Sequence, residues 1–415
     1  MSFAYRDGAL CAEQVPLAQI AERFGTPCYV YSRAVVERNY DAFASALARR
    51  PALIAYSVKA NSNLALLAVM AQRGAGFDIV SGGELARVLA AGGDARKVVF
   101  SGIGKSETEI EQALRAGILC LNLESAPELD RVDTVARRLG LRAPVAFRVN
   151  PDVDAKTHPY ISTGLKDNKF GIAYEDAERL YRDAAQRGNI RAAGVGCHIG
   201  SQMTSAAPFV DAAARILALT QRLERAGIHL EHIDLGGGFG IRYRDESPAP
   251  VGQFLDGALG VLAGRRETLI VDPGRAIAGE AGLLLTRVEY IKPGETKNFV
   301  VVDAAMNDLV RPALYGAWHE VRQVVETESG VAAGVYDVVG PVCESADFLA
   351  RERRLTVRPG SLLAVMSAGA YGMVMSSNYN SRPRPAEVMV SGGRATLVRE
   401  RETIAQLIAT ERLLP

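Results

Sequence analysis

Eight short apolar segments alternate with stretches of helical periodicity over the first two thirds of the 415-residue chain. Each apolar segment has the length and the β-branched content of a buried strand, and the stretches between them repeat apolar residues at helical spacing. Parallel strands need long crossover connections, so this alternation predicts a parallel sheet covered by helices. The predicted strands cover residues 53–58, 75–80, 97–101, 118–123, 145–150, 194–199, 231–236 and 268–273.

Eight strand–helix units are the number that closes a barrel. We therefore predict an α/β fold with a TIM-like (β/α)8 barrel, and a doubly wound open sheet is the alternative that the same alternation allows. Polar residues stand where each predicted strand ends, which is where the catalytic groups of such barrels lie. Core packing alone would not place a polar group at the same end of every strand. These groups are Lys59, Asp78, Ser101, Glu124, Arg148, Asn150, His198, the glycines at 236–238 and Asp272.

The pattern of predicted secondary structure changes after about residue 276. Short strand-like segments separated by Gly and Pro turns predict an all-β domain, built as a barrel or a sandwich. We expect three parts: an N-terminal segment of residues 1–27 that packs with the β domain, a barrel over residues 28–275, and the C-terminal β domain over residues 276–415.

Composition excludes several classes of function. The 48 Lys and Arg residues balance 47 Asp and Glu residues, whereas nucleic-acid-binding surfaces carry a basic excess. No apolar run reaches the roughly 18 residues that a membrane span needs. Five widely spaced cysteines without a CxxC pair, and no basic-then-apolar signal at the start, fit a reducing cytoplasm. We expect no nucleic acid, no membrane and no metal site.

Two motifs at predicted strand ends contain the residues best suited to catalysis and to phosphate binding. Lys59 in YSVKANSN follows an apolar strand, and partial desolvation there would leave its amine nucleophilic enough for a Schiff base; a surface lysine is the plainer interpretation. The glycines of GGGFG, residues 236–240, would let backbone N–H groups surround a phosphate, or would form a tight turn. Their spacing does not match the GxGxxG fingerprint of dinucleotide-binding folds.

Two further motifs favour a flat, anionic ligand. His198 and Ser201 lie in CHIGSQ, where a histidine could stack on a flat cofactor or transfer protons, or be a satisfied core residue. Asp272, Gly274 and Arg275 form DPGR. A carboxylate facing a pyridine nitrogen would keep that ring electron-poor, and the arginine could hold a phosphate or a carboxylate. A salt-bridged turn is the alternative.

The predicted β domain contains further candidate residues, for each of which the evidence of a functional role is weak when it is taken alone. Cys343 and Glu344 lie in GPVCESADF, Tyr371 lies in SAGAYG, and Arg311 and Tyr315 lie in RPALY. A small buried side chain is the plainer interpretation of a lone cysteine.

Together these motifs resemble those of the pyridoxal-phosphate enzymes of the alanine-racemase-like class and, within that class, the diaminopimelate decarboxylase family. The resemblance covers nearly the whole chain, and about ten short motifs in the family's order are far more specific than any one of them. The motifs are YSVKAN, FDIVSGGEL, FSGIGKS, NPDVDAKTHPYISTG, KFGI, HIGSQ, LGGGFG, PGR, MNDLVRPALY, GPVCESADF and GAYG.

The resemblance implies pyridoxal 5'-phosphate as the cofactor, held covalently by Lys59 and stacked by His198, with Cys343 protonating the substrate carbon after CO₂ leaves. It implies an amino-acid substrate, meso-2,6-diaminopimelate, converted to L-lysine and CO₂ in the last step of lysine biosynthesis. It also implies a homodimer in which Cys343 reaches the other subunit's site. Implied cofactor-binding residues are Lys59, Asp78, His198, Ser201, Gly237, Gly238, Gly240, Asp272, Gly274, Arg275 and Tyr371. Implied substrate-binding residues are Arg275, Arg311, Tyr315, Glu344 and Tyr371.

The sequence departs from the family's pattern at one position. Asp272 stands where the family has Glu and is one methylene shorter; we expect retained activity. A decarboxylase for ornithine, arginine or carboxynorspermidine stays open, although relatives that prefer ornithine or lysine tend to have Asp where Glu344 stands. An amino-acid racemase also stays open, as does a non-catalytic binding module, which would usually lose Lys59 or the glycine loop.

Overall fold

The computed structural model describes residues 3–153, 169–326 and 330–415. The chain divides into two compact units: one comprises Met1–Glu37, Tyr243–Asp245 and Ile277–Pro415, and the other comprises Arg38–Arg242 and Glu246–Ala276. Residues 154–164 of the NPDVDAKTHPYISTG motif lie outside the described residues.

The N-terminal residues belong to the first unit. Strands β1 (Phe3–Arg6), β2 (Ala9–Ala12) and β3 (Val15–Pro16) form a small antiparallel sheet, and helix α1 (Leu17–Phe24) follows. Strand β4 (Cys28–Ser32) is buried along its whole length. It pairs on both sides within the large sheet of this unit. The barrel's expected start at residue 28 therefore differs from the observed one, because β4 is a central strand of the β domain.

The second unit is a closed parallel barrel. Eight strands pair in parallel around a ring in the order β5-β6-β7-β8-β9-β11-β12-β13, and β13 pairs back with β5. Closure excludes the open sheet, so the prediction of a TIM-like barrel is confirmed. The strands are β5 (Ala52–Ser57), β6 (Gly76–Ile79), β7 (Val98–Phe100), β8 (Cys120–Leu123), β9 (Ala143–Asn150), the short addition β10 (Ile172–Ala173), β11 (Ile190–Gly196), β12 (His232–Asp234) and β13 (Thr268–Val271).

Helices lie between these strands and begin and end at the residues their sequences favour. Ser106 and Glu109 form a capping box at the start of α5, and Gly117 ends that helix in the left-handed conformation, with φ 68°, which glycine adopts without strain. The helices are α2 (Arg33–Leu47), which passes from the first unit into the second, α3 (Leu64–Gln72), α4 (Gly82–Ala90), α5 (Glu107–Ala116), α6 (Ala126–Leu139), α7 (Ala177–Gln186), α8 (Ala207–Arg225) and α9 (Val251–Val261).

An aromatic cluster attaches the glycine-rich loop to the helical layer. Phe239 stands between Gly238 and Gly240, and its ring centroid lies 4.9 Å from that of Phe43, 5.3 Å from Phe209 and 5.1 Å from Phe254. Such edge and tilted contacts add to the free energy of burial. The one large side chain of the loop therefore anchors it, while its glycines face the barrel rim.

The rest of the first unit is mainly β, which confirms the prediction of a C-terminal β domain. Its large sheet has the order β18-β17-β15-β14-β4-β20-β21, and β19 pairs with β14 and β16. Its elements are β14 (Gly282–Lys292), β15 (Asn298–Val302), β16 (Val321–Gln323), β17 (Gly334–Val339), β18 (Phe348–Leu355), β19 (Leu362–Val365), β20 (Ala386–Ser391) and β21 (Arg394–Arg399), with the short helices α10 (Arg275–Ala278, which begins in the barrel unit), α11 (Arg311–Tyr315) and α12 (Ile404–Ile408). None of the described helices has both the length and the apolar character that crossing a membrane requires.

Candidate active site

Polar side chains converge on a small cavity of about 40 Å³ in the barrel unit. Six of the strand-end residues that the sequence singled out are among those that line it, because the carboxyl ends of parallel strands meet at one rim. The lining residues are Lys59, Asp78, Ser101, Asn122, Arg148, Gly196, Cys197, His198, Asp234 and Asp272.

Lys59 lies on a single helical turn that follows β5. Its Nζ donates to Asp78 Oδ2 at 2.9 Å; the lysine side chain is 37% exposed and the aspartate 2%. Asp78 Oδ2 also accepts from the Ser57 hydroxyl at 3.2 Å. The structure thus gives the Lys59 amine a buried carboxylate as its partner, which the sequence did not predict. Asp78 therefore orients the amine.

Two further buried carboxyl groups share the cavity with Asp78. Burial raises the pKa of Asp234 to about 7, and repulsion from Asp78 adds to this, although Asp234 accepts a 2.8 Å hydrogen bond from the Gly236 N–H. Burial, then repulsion from Asp78 and Asp234, raises the pKa of Asp272 well above its usual range. The charges of Lys59 and Arg148 lower the pKa of Asp272 and partly offset this rise. The net effect is that Asp234 and Asp272 hold protons more tightly than free carboxylates would.

Asp234 was missed by sequence analysis and supplies a test of this electrostatic arrangement. A folded-state pKa of about 7 lies above the unfolded value of about 3.9. The folded protein therefore binds more protons between these values, and stability falls as the pH rises through that window. We expect Asp234→Asn to raise the melting temperature of the cofactor-free protein more at pH 8 than at pH 5. Asp256→Asn, at an exposed site on α9, is the control and should change both values little; an equal gain at the two pH values would contradict the assignment.

His198 presents a neutral ring. Burial, followed by the charges of Arg148 and Lys59, lowers the pKa of His198 well below its usual value. Its Nδ1 accepts from the Gly237 N–H at 3.4 Å and lies 3.8 Å from Asp272 Oδ1. A ring nitrogen that accepts from a backbone N–H carries no proton, so His198 is neutral at Nδ1 and presents a flat face suited to stacking.

The glycine-rich loop leaves no room for side chains. A Cβ on Gly237 would lie 2.3 Å from Asp272 O, and one on Gly238, where φ is 86°, would lie 2.2 Å from Gly200 O. Gln202, a second residue that sequence analysis missed, clamps the loop: its amide donates to Ile241 O at 2.6 Å and accepts from Ile241 N–H at 3.1 Å. The only sequence signal for Gln202 was its position next to Ser201 in the CHIGSQ motif.

Ser201 and Arg275 meet beside this loop, where Arg275 Nη2 donates to Ser201 Oγ at 3.0 Å. Gly274 has a packing reason to be glycine, because a Cβ there would lie 2.9 Å from the Cβ atoms of Ala60 and Ser57. Gly274 thus lets the Arg275 segment pack against the turn that carries Lys59.

These residues fit the cofactor that the sequence resemblance implies. Asp272 Oδ1 is buried and accepts no hydrogen bond from the described residues, so it is available to a ring N–H. The loop and the Ser201–Arg275 pair offer backbone and charged donors suited to a phosphate. Lys59 supplies the amine, and His198 supplies a flat neutral face. In the described part of the chain no group of three or more His, Cys, Asp or Glu side chains could hold a metal ion.

The remaining candidates belong to the β unit. Arg311 is buried on α11; its Nε donates to His319 Nε2 at 3.3 Å, and its guanidinium lies 5.2 Å from the Tyr243 ring and 5.9 Å from the Tyr315 ring. The buried His319, also missed from sequence, hydrogen-bonds Met366 O through Nδ1 at 2.9 Å, which fixes its tautomer.

Three further candidates of the β unit differ in exposure and backbone. Tyr371 has a left-handed backbone with φ 55°. Cys343 and Glu344 are exposed, and Cys343 is the only one of the five cysteines that is not buried.

Comparisons with known proteins agree with this geometry. Residues 33–279 match the family described as pyridoxal-dependent decarboxylase, pyridoxal binding domain. A diaminopimelate decarboxylase of Pseudomonas aeruginosa is 58% identical over 414 residues, covering 100% of this chain and 99% of the relative. The structure of diaminopimelate decarboxylase from M. jannaschii in co-complex with L-lysine has a TM-score of 0.95 at 37% identity, covering 100% of this chain and 98% of the other. That of the Helicobacter pylori enzyme complexed with L-lysine has a TM-score of 0.91 at 40% identity, covering 95% and 98%.

Proposed function

Since the chain belongs to the pyridoxal-dependent decarboxylase family, we propose that it decarboxylates meso-2,6-diaminopimelate to L-lysine and CO₂ with pyridoxal 5'-phosphate. The observation that carries this proposal is the Lys59–Asp78 pair, which lies at the rim of a closed barrel beside a glycine cradle. Full-length identity to diaminopimelate decarboxylases supports the choice of substrate. The family that the sequence resembled is thereby confirmed.

The cofactor, when bound, supplies a conjugated ring that accepts the electron pair left by departing CO₂. The residues of this chain bind and orient. Lys59 Nζ would be the nucleophile that holds the cofactor, and Asp78, whose Oδ2 lies 2.9 Å from it, would orient it. Asp272 would face the ring nitrogen, because its buried Oδ1 accepts no hydrogen bond from the described residues and could accept one from a ring N–H. His198 would cover one face of the ring with a neutral imidazole, since burial lowers its pKa.

We assign recognition of the distal end of the substrate to residues of the β unit. We assign Arg311 and Tyr315 to the distal carboxylate and Glu344 to the distal ammonium. A guanidinium held by His319 keeps a fixed direction, which suits bidentate recognition of a carboxylate. Cys343 is assigned as the proton donor to the substrate carbon, and Tyr371 with Arg275 as phosphate or substrate contacts. These assignments rest on residue chemistry and on the family resemblance.

The test of this function is CO₂ release by the purified protein with pyridoxal phosphate. meso-Diaminopimelate, L-ornithine, L-lysine and L-arginine are assayed in parallel. We expect release from diaminopimelate alone, with L-lysine as the product. Release from another of these amino acids would retain the decarboxylase and refute the distal assignments. Cofactor binding without CO₂ release from any of them would favour an amino-acid racemase.

We also propose a homodimer with shared sites, located in the cytoplasm, where five free thiols would stay reduced. An exposed Cys343 is suited to completing a site on a second copy. If so, Lys59→Ala and Cys343→Ala variants, each inactive alone, should complement each other when they are unfolded and refolded together. Random pairing gives half heterodimers with one intact site of two, hence about a quarter of wild-type activity. No recovery, despite heterodimers detected by mass spectrometry, would place Cys343 in its own chain's site.

A further inference from the structure

We infer that Asn380 is a positioning residue for Cys343: its side chain holds the backbone of residues 340–347, here called the thiol loop, and so sets the direction of the Cys343 thiol. The inference rests on the proposed function in so far as Cys343 delivers a proton. The contact on which it depends lies entirely within the β unit.

The thiol loop is held through its backbone. Asn380 Oδ1 accepts from the Cys343 N–H at 2.7 Å, and Asp347 Oδ2 accepts from the Val342 N–H at 2.8 Å. Asp347 is itself buried and also accepts from the Met306 N–H at 2.7 Å through Oδ1. Two successive amides are therefore fixed by side-chain oxygens, one from Asp347 at the end of the loop itself and one from Asn380, 37 residues beyond Cys343.

Within one chain, burial cannot set the direction of the thiol, because the side chains of the thiol loop are mostly exposed. Cys343, Glu344, Ser345 and Ala346 are all exposed. Short backbone contacts shape the turn: the Glu344 N–H donates to Val342 O at 2.8 Å, and the Asp347 N–H donates to Glu344 O at 3.0 Å. Within one chain, packing fixes none of these four side chains, so the amide tethers set the direction of the Cα–Cβ bond of Cys343.

Asn380 has an unusual backbone conformation. Its φ is 56° and its ψ 29°, and the next residue, Ser381, has φ 54°. Asparagine is among the residues that tolerate this left-handed region best. Both residues are exposed, so burial in a core does not account for their conformation, and strain of this kind is concentrated at functional sites.

The segment on either side of Asn380 is tightly held, so its side chain has a rigid base. The Ser377 N–H donates to Asn307 O at 2.9 Å. Arg382 donates through Nε to Asn307 Oδ1 at 3.1 Å and through Nη2 to Asp303 O at 2.5 Å. The Asn380 side chain therefore ties the exposed Cys343 to a segment that is itself held by several hydrogen bonds.

Asn380→Gly tests the inference, because glycine adopts positive φ without strain and the substitution removes the side chain whose Oδ1 accepts from the Cys343 N–H. We expect the Cys343 amide to exchange with deuterium about tenfold faster and kcat/KM to fall about tenfold, as for a lost hydrogen bond that orients a reacting group. Asn380→Asp keeps an acceptor oxygen and should restore both quantities to within about threefold. Ser381→Gly, at the neighbouring left-handed residue, is the matched control and should change neither.

Two results would overturn the inference. One is unchanged amide exchange in Asn380→Gly; the other is faster exchange with unchanged kcat/KM. Amide exchange is measured by mass spectrometry on peptides that contain Cys343 and needs no turnover. A wild-type protein that releases no CO₂ from diaminopimelate would contradict the proposed function, while the exchange measurement would still decide whether Asn380 holds the thiol loop.

Discussion

Lys59→Ala is expected to abolish CO₂ release, lowering kcat by about 10⁴-fold or more, and to remove the visible absorbance of the bound cofactor. Among the described residues that line the barrel cavity, only Lys59 supplies an amine, and nucleophilic catalysis cannot proceed without that group. The alanine variant also leaves Asp78, Asp234 and Asp272 without the ammonium that offsets their mutual repulsion. Absorbance after dialysis and CO₂ release are the measurements.

Two further variants separate chemistry from folding in that experiment. Lys59→Arg keeps a cation for Asp78, but guanidinium is no nucleophile at neutral pH, so it should fold like the wild type and stay inactive. Lys97→Ala is the control: Lys97 is partly exposed, is not among the residues that line the cavity, and donates to Gly74 O at 3.0 Å, and its loss should leave kcat within about twofold. Normal turnover by Lys59→Ala would refute the assignment of the nucleophile.

Gly238→Ala is expected to weaken cofactor binding by about 10²-fold or more. Its φ of 86° is unfavourable for alanine, and the new Cβ would lie 2.2 Å from Gly200 O and 2.6 Å from Met203 Cε. The Met203 N–H donates to Gly238 O at 2.8 Å, so the loop cannot move away without losing that bond. Displacement of the loop changes the position of the donors that a phosphate needs. Fluorescence titration with pyridoxal phosphate gives the dissociation constant.

Gly260→Ala is the matched control for this change. Gly260 lies in helix α9 with no positive φ, and a Cβ there would meet nothing within 4 Å. Alanine in a helix is favoured over glycine by about 0.5–1 kcal/mol, so this variant should be at least as stable and bind the cofactor normally. Cofactor affinity in Gly238→Ala equal to that of the wild type, in a protein with a normal circular dichroism spectrum, would show that the loop is not the phosphate site.

Sequence alone determined the barrel and much of its rim. Alternating strand and helix periodicities are local properties, and each strand of the observed ring overlaps a predicted segment. Because parallel strands end at a common rim, Lys59, Asp78, Arg148, His198 and Asp272 could be expected to meet, and they line one cavity. The motifs and their order along the chain were sufficient to indicate the family.

Only the tertiary structure decided how these groups act on one another. It showed that the buried carboxylate of Asp78 is the partner of Lys59, and that Asp234 adds a third carboxyl group to the cavity. It paired Cys343 with Asn380, residues far apart in the chain, and it placed β4 in the β domain. Periodicity specifies which face of an element is buried, but contacts between distant segments depend on how the elements close on each other. Charges, tethers and pKa values arise from those contacts, which is why no local pattern could give them.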